Sequence, residues 1–338
     1  MKHIIEDWDQ ELYPSALWDF YFDGLRAGVL DIETTGLDPS RNKIILVGIY
    51  DVHVHNHKQV LAESRAEEPL ALGEYMDVLA DLDLLITYNG KHFDVPFTDT
   101  RLKKHPETAS LSCSYLYDFD LYQVLSRYSP IRKLVPNMRQ KTVENYMGLW
   151  DARADEISGA ESVELYNQYE ATADPDAEAR ILLHNNDDIR QLTRLTKAIT
   201  KSDLHKAMFH IGFPVKRGPA MVTVTGIHLR SDRLDFNGEQ NRMPVVYMGF
   251  DYNGWPVSSR FTGQSFEVSV PVIRQSGLTV IDLQAAGLTD RNTTDLRFED
   301  YPGCAGGFLV IEDETGIKYR ETNHFIKEFT KKIMEECL

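Results

Sequence analysis

Between residues 28 and 100 the pattern of apolar and polar positions changes period several times. GVLDIE and KIILVGIY are nearly continuous apolar runs that read as buried strands, and VHVHNHKQVLAE reads as a more polar one. EPLALGEYMDVLADL places its apolar residues at helical spacing, DLLITYNG returns to a strand, and PFTDTRLKKH reads as a helix. Three strands in succession, then a helix and a further strand, predict a mixed sheet that is antiparallel at first and parallel after the crossover. Residues 175–201 predict one long helix, with Ile181, Leu182, Ile189, Leu192 and Leu195 supplying much of its apolar face.

The character changes after about residue 205. AMVTVTGIHL, PVVYMGFDYNG, SFEVSVPVI and GFLVIEDETGIKYR alternate or carry glycine-centred turn signals, and only NHFIKEFTKKIMEE returns to a helical period. The chain therefore divides into an α/β domain over 1–205 and a smaller β-rich domain over 206–338 with a final helix, the boundary lying near HIGFPVKRGP, where Gly212, Pro214, Gly218 and Pro219 punctuate the pattern. The second part carries no recognisable catalytic set. Its DYNGWPVSSRF segment holds Tyr252, Trp255 and Arg260 close together, as a stacking platform or as core plus turn.

A length of 338 residues suits two domains, each able to bury a core. The 36 basic and 52 acidic side chains leave a net charge of -16, which opposes a broad non-specific nucleic-acid footprint. A polyanionic substrate would need a locally basic groove or bound cations. Cys113, Cys304 and Cys337 show neither a disulfide framework nor zinc-ligand spacing, which fits a reducing cytoplasm. The charged start MKHIIEDWDQ lacks an apolar signal region, and no apolar stretch approaches the ~18 residues of a membrane helix, so the expectation is a cytoplasmic protein without membrane segments.

Two acids interrupt the first apolar run. In VLDIETTGLDP, residues 29–39, Asp31 and Glu33 stand two apart on a strand and so project from one face, while Leu30 and Ile32 point the other way. Alone, such a pair reads as two solvated acids. Two further stretches change that reading: YNGKHFDVPF places Asp94 just beyond a strand, and HNNDDIRQL places His184 and Asp188 at i and i+4 on one helix face. If Asp31, Glu33, Asp94 and Asp188 converge, each pair ~5 Å apart repels by about 3 kcal/mol at an effective dielectric of ~20. Such a cluster calls for hard cations, two Mg²⁺ or Mn²⁺ ions able to clamp the attacking and leaving oxygens of a phosphodiester.

In order and spacing, DIETTGLDP, NGKHFDVP and HNNDD resemble the three motifs of the DEDD (DnaQ-like) 3′-to-5′ exonuclease superfamily. KTVENYMGL at 141–149, VELYNQY at 163–169 and LLHNNDDIRQLTRL at 182–195 resemble its YprB-type ribonuclease H-like branch. The resemblance covers roughly residues 20–200. It implies a ribonuclease H-like mixed five-stranded sheet flanked by helices, two metal ions held by Asp31, Glu33, Asp94 and Asp188, and a terminal-nucleotide pocket lined by Thr34, Thr35, Gly36, Leu37 and Asn89. It also implies a substrate of single-stranded DNA or RNA with a 3′ end. One departure stands out. The superfamily's main branches use a His five residues before the last Asp or a Tyr four before it, whereas His184 stands four before Asp188, leaving its role as general base or water-positioning group open.

Other features carry two readings. Residues 121–143 hold Arg127, Arg132, Lys133, Arg139 and Lys141, either a phosphate-contacting rim or a solvated loop face; Lys91, Lys103 and Lys104 favour the rim, with Arg132 and Lys133 as its substrate-binding candidates. His53, His55 and His57 alternate in HVHNH, as the exposed end of a hairpin strand or as a soft-metal set. Phe93 reads as core before base-stacking residue, and Asp120 as a structural acid before a metal ligand. Asn185 and Asp187 read as helix-surface neighbours of the site, with Asp187 able to replace Asp188 if the helix were rotated. The rivals to a 3′-to-5′ exonuclease are a structure-selective endonuclease on the same fold and a nucleic-acid-binding scaffold that has lost its chemistry. DNA and RNA are not separable from spacing, and protein partners are not indicated.

Overall fold

The run Ile44–Asp51 is buried at every position, which a strand tolerates only when both faces of its sheet are covered. It lies at the middle of the first of two units into which the computed structural model divides the chain, Met1–Ser202 and Asp203–Leu338. The structure describes residues 1–149, 153–154, 157–252, 254–289, 301 and 303–337.

In the first unit the elements run β1 (Lys2–Asp7), α1 (Ala16–Phe22), β2 (Ala27–Thr34), β3 (Ile44–Asp51), β4 (Asn56–Leu61), α2 (Glu68–Leu79), β5 (Leu84–Thr87), α3 (Asp94–Leu102), β6 (Tyr117–Asp120), α4 (Leu121–Tyr128), α5 (Ile131–Leu134), α6 (Gln140–Tyr146), α7 (Gly159–Thr172) and α8 (Pro175–Leu195). They build a six-stranded sheet of order β1-β4-β3-β2-β5-β6. β3 pairs antiparallel with β2 and β4, while β5 pairs parallel with both β2 and β6. The mixed sheet is therefore as the pattern predicts, with one strand more than five. The addition at the edge is β1, whose KHIIED sequence is exposed at most positions and pairs antiparallel with β4. A strand covered on neither face carries little hydrophobic signal.

Helices cover both faces. Leu72, Tyr75, Met76 and Leu79 of α2 pack with Leu30, Ile32, Val47 and Ile49 on one side, and Tyr166, Tyr169, Ala177 and Ile181 of α7 and α8 pack with Ile45, Leu46 and Leu61 on the other. Each buried aliphatic or aromatic side chain in these layers contributes roughly 1.5–3 kcal/mol. The long helix expected over 175–201 is α-helical to Leu195 and tightens into a 3₁₀ turn over Thr196–Lys201. Its start is set by Asp174, whose side chain accepts from Asp176 N–H, and by Pro175 in the first turn.

The alternating histidines do not share a strand face. His53 lies in the turn before β4, His55 has a left-handed backbone (φ 55°), and only His57 is in the strand, fully buried. It stacks on Trp8 with ring centroids 3.8 Å apart. The exposed-hairpin reading and the soft-metal reading both fail at His57, because the apolar ring of Trp8 from the amino-terminal segment covers it.

The second unit comprises α9 (Leu204–Ile211), β7 (Phe213–Arg217), β8 (Ala220–Leu229), β9 (Arg233–Arg242), β10 (Tyr247–Gly249), β11 (Ser258–Phe261), β12 (Ser265–Pro271), β13 (Ile273–Gln275), β14 (Leu278–Asp282), β15 (Phe308–Asp313), β16 (Gly316–Ile317) and α10 (Tyr319–Cys337). Its strands form sheets of order β10-β11-β12-β9-β8-β7 and β13-β14-β15-β16, antiparallel throughout. Tyr252 and Trp255 are buried edge-on against Phe329 of α10, while Arg260 is exposed on β11. The two aromatics are core, and the three residues form no stacking platform.

Candidate active site

Three elements meet at one end of the first sheet. β2 presents Asp31 and Glu33, α3 begins at Asp94, and α8 turns His184 and Asp188 toward β2. Gly48 permits the approach of α8: a Cβ there would lie 2.0 Å from Asn185 Oδ1 and 2.4 Å from Ile189 Cδ1. Only a residue without a side chain lets the helix lie this close to β3.

The close approach buries Asn185, correcting its reading as a surface residue. Gln59 Nε2 donates to Asn185 Oδ1 (2.9 Å), which fixes the amide so that Nδ2 donates to Asp31 Oδ2 (2.8 Å) and to the Asp31 carbonyl (3.1 Å). On the other acid of β2, the buried Ser162 of α7 donates to Glu33 Oε2 at 2.9 Å. His184, 4 % exposed, sets Nε2 between two carboxylates, 3.6 Å from Glu33 Oε1 and 3.7 Å from Asp188 Oδ2. Asp187 points away from this centre: it is buried, and its Oδ2 accepts from Ala154 N–H at 2.7 Å. The helix is thus rotated to present Asp188, not Asp187.

Electrostatics reflect the crowding. Burial first, then Asp188, Glu33 and Asp94, hold the Asp31 carboxyl well above the usual carboxylate range. Asp94 is pushed up to about 8 by burial and then by Asp118. Among the described residues, no three His, Cys, Asp or Glu side chains are gathered tightly enough to form a closed ligand set. The donor chemistry nonetheless fits a hard divalent cation. The donors are carboxylate oxygens, and the repulsion raising Asp31 is what a bound cation would relieve.

Asp31, Glu33, His184 and Asp188 open onto a cleft of about 940 Å³, whose wall includes the Thr34–Leu37 turn, Phe93, Arg139 and Lys141. In that turn Thr34 Oγ1 donates to the Gly36 carbonyl (2.8 Å), while Thr35 N–H donates to the Lys43 carbonyl and Lys43 N–H donates back to the Thr35 hydroxyl, each at 2.9 Å, closing the loop. Leu37 at its tip is 83 % exposed. Phe93 serves both readings, packed against the core beside Phe97 and bordering the cleft. Asp94 is 5 % exposed and does not border the cleft.

Asn89 has a left-handed backbone (φ 72°), held by its N–H donating to Asp120 Oδ1 at 2.8 Å, so Asp120 is a structural acid that also caps α4. Asn89 borders a smaller hollow with Tyr88, Tyr122, Met138, Arg139 and Gln140, the last two of which also border the main cleft. Arg132 and Lys133 are exposed on α5 and border neither. Within the basic stretch it is Arg139 and Lys141 that reach the cleft, with Lys141 also donating to the Ile157 carbonyl. Neither Ser162 nor Arg153, whose guanidinium lies 2.5 Å from Asp188 Oδ1, carried a sequence signal; Ser162 falls immediately before the VELYNQY stretch, and only the packing of α7 on β2 aims it at Glu33.

Comparison with known proteins fits this architecture. Residues 29–200 match the RNase_H superfamily, and the chain belongs to it. An uncharacterized protein of Methanocaldococcus jannaschii is 25 % identical over 181 residues, covering 52 % of this chain and 96 % of that protein. Among solved structures, the family B DNA polymerase of Pyrobaculum calidifontis aligns at 21 % identity with a TM-score of 0.42, covering 52 % of this chain and 24 % of the polymerase. Exonuclease I aligns at 12 % identity with a TM-score of 0.29, covering 63 % of this chain and 55 % of that one. The chain thus spans about a quarter of the polymerase and about half of exonuclease I.

Proposed function

We propose that the chain is a divalent-metal-dependent nuclease that removes nucleotides from the 3′ end of single-stranded nucleic acid. The observation that carries this reading is the convergence of Asp31, Glu33 and Asp188 beside His184 at a cleft with basic side chains on its wall, with Asp94 buried close enough to act on Asp31.

Asp31, Glu33 and Asp188, with Asp94 beneath, would hold Mg²⁺ or Mn²⁺. When bound, the two ions supply an activated water and neutralise charge on the attacked phosphate. The chain's own groups do the rest. Asn185 and Ser162 hold Asp31 and Glu33 in fixed orientations. His184, between Glu33 and Asp188, would orient a water or accept its proton. The exposed Leu37 and the ring of Phe93 offer apolar surfaces against which a terminal base can pack, and Arg139 and Lys141 offer positive charge to the phosphates behind it. The net charge of -16 makes that local cationic wall necessary.

The test uses a single-stranded oligonucleotide labelled at its 5′ end, a 3′-blocked version of it and a circular strand, each with Mg²⁺, Mn²⁺ or EDTA. Stepwise shortening of the free-ended strand alone, abolished by EDTA, is the expected result. Cleavage of the circle would establish the endonuclease instead, and binding without cleavage would establish the scaffold. Asp31→Asn or Asp188→Asn should lower the rate at least about a hundredfold, about 2.7 kcal/mol of barrier, with the circular dichroism spectrum unchanged.

A further inference from the structure

Asp188 is gripped from α6 at two points. Gln140 Nε2 donates to the Asp188 carbonyl at 2.9 Å. One turn further along, Glu144 reaches the Asp188 carboxylate through Arg153. The Arg153 Nε and Nη2 atoms fork onto the two Glu144 oxygens at 3.0 and 2.9 Å, and Nη2 also lies 2.5 Å from Asp188 Oδ1. The Arg153 side chain is 1 % exposed and that of Glu144 fully buried, whereas the Asp188 side chain keeps 20 % exposure toward the cleft. The neighbouring backbone follows α8 as well, with Ala154 N–H donating to Asp187 and the Leu149 carbonyl accepting from Gln191 at 3.2 Å.

We propose that Arg153, neutralised by Glu144, is a positioning residue that pins one oxygen of Asp188 and leaves the other, on the His184 side, as the oxygen offered to a divalent cation. The inference rests on the nuclease reading above. Its physical core is charge balance. A lone guanidinium beside Asp188 would cancel the carboxylate and repel a cation. Paired with Glu144 it forms a neutral unit, so Asp188 keeps its negative charge while losing its freedom to rotate. Oδ1 is held against the buried Arg153 guanidinium and Oδ2 lies 3.7 Å from His184 Nε2. A carboxylate fixed this way binds through one oxygen, without first giving up rotational freedom.

Three variants of the full chain separate positioning from mere support of the fold. Glu144→Gln removes the Glu144 charge from Arg153 beside Asp188, Arg153→Lys keeps the charge but not the fork, and Arg153→Met combined with Glu144→Met removes the pair without changing net charge. Replacing a buried ion pair by apolar residues of similar volume is often neutral for stability, so the double variant guards against simple unfolding of the single ones. The readout is Mn²⁺ alone, titrated into metal-stripped protein and followed by the electron paramagnetic resonance signal of the free ion, with thermal midpoints in parallel. Glu144→Gln and the double variant should weaken Mn²⁺ binding by about 10- to 100-fold, with Arg153→Lys in between. Wild-type Mn²⁺ affinity in all three variants, with lowered midpoints only, would overturn the positioning role and leave the nuclease reading standing. Failure of the wild-type chain to take up Mn²⁺ would remove both.

Discussion

His57 shows how a single residue departs from what its neighbours in sequence suggest. Both of its ring nitrogens lack a hydrogen-bond partner among the described residues, and the ring lies flat against Trp8, over which the Arg190 guanidinium sits at 4.2 Å. Burial, and then Arg190, push the imidazole down from its usual 6.5 to about 3. Because the folded value lies below the unfolded one, only the unfolded chain takes up this proton between those limits. The contribution is complete above pH ~6.5 and is lost as pH falls toward ~3, at up to ~1.4 kcal/mol per pH unit. His57→Phe keeps the stack and has nothing to protonate, so its urea midpoint should fall less steeply than that of wild type between about pH 6.5 and pH 4. Parallel curves for the two proteins would show that another group governs the acid limb. His184 calls for a different test, since it has carboxylates on both sides: His184→Tyr retaining more activity than His184→Ala would assign it to orienting water, not to removing a proton.

Among the elements, the packing of α8 on β3 decides whether the site exists. Gly48→Ala would drive a methyl group into Asn185 and Ile189, and overpacking of this kind typically costs about 1–3 kcal/mol. A larger effect on rate than on stability is expected, because the same shift withdraws Asn185 from Asp31; the fall in kcat set against the fall in unfolding midpoint measures it. The loop and first turn of α6 form the other decisive element. Arg139→Ala with Lys141→Ala should raise KM, leave kcat nearly unchanged, and flatten the salt dependence by up to ~0.7 in log-log slope for each phosphate no longer neutralised. The same pair of changes at Arg132 and Lys133, which do not border the cleft, should flatten it less. An identical slope in both double variants would place the strand elsewhere.

For the whole molecule, the proposed nuclease reading implies that the buried like charges of the first unit receive cations. A ligand that binds only the folded state stabilises it by about 2.7 kcal/mol at ~100 times its dissociation constant. Mn²⁺ should therefore raise the thermal midpoint by several degrees, EDTA should reverse the rise, and Asp188→Asn should abolish it; an equal rise with NaCl at matched ionic strength would reduce the effect to screening. Among the described residues, no helix is long and apolar enough to cross a membrane.

The sequence by itself determined the elements whose pattern is strong and local: the apolar strands β2, β3 and β5, the amphipathic α2 and α8, and the acids whose spacing of two on a strand and four on a helix puts each pair on one face. The ribonuclease H-like fold was legible because its three acidic motifs fall in order on those elements, and residues 29–200 match the family. What the sequence left open was settled by packing between segments far apart in the chain. β1 is a strand because β4 offers it an unpaired edge, and not because of its own KHIIED pattern. His57 is buried because Trp8 closes over it. Asn185 faces Asp31 because Gly48 has no side chain, and Arg153 meets Asp188 only because Glu144, nine residues earlier, is buried beside them. Period and spacing report which face of an element a residue occupies. Which partner that face meets depends on tertiary interactions whose energies are summed over the whole fold, and no short stretch of sequence contains them.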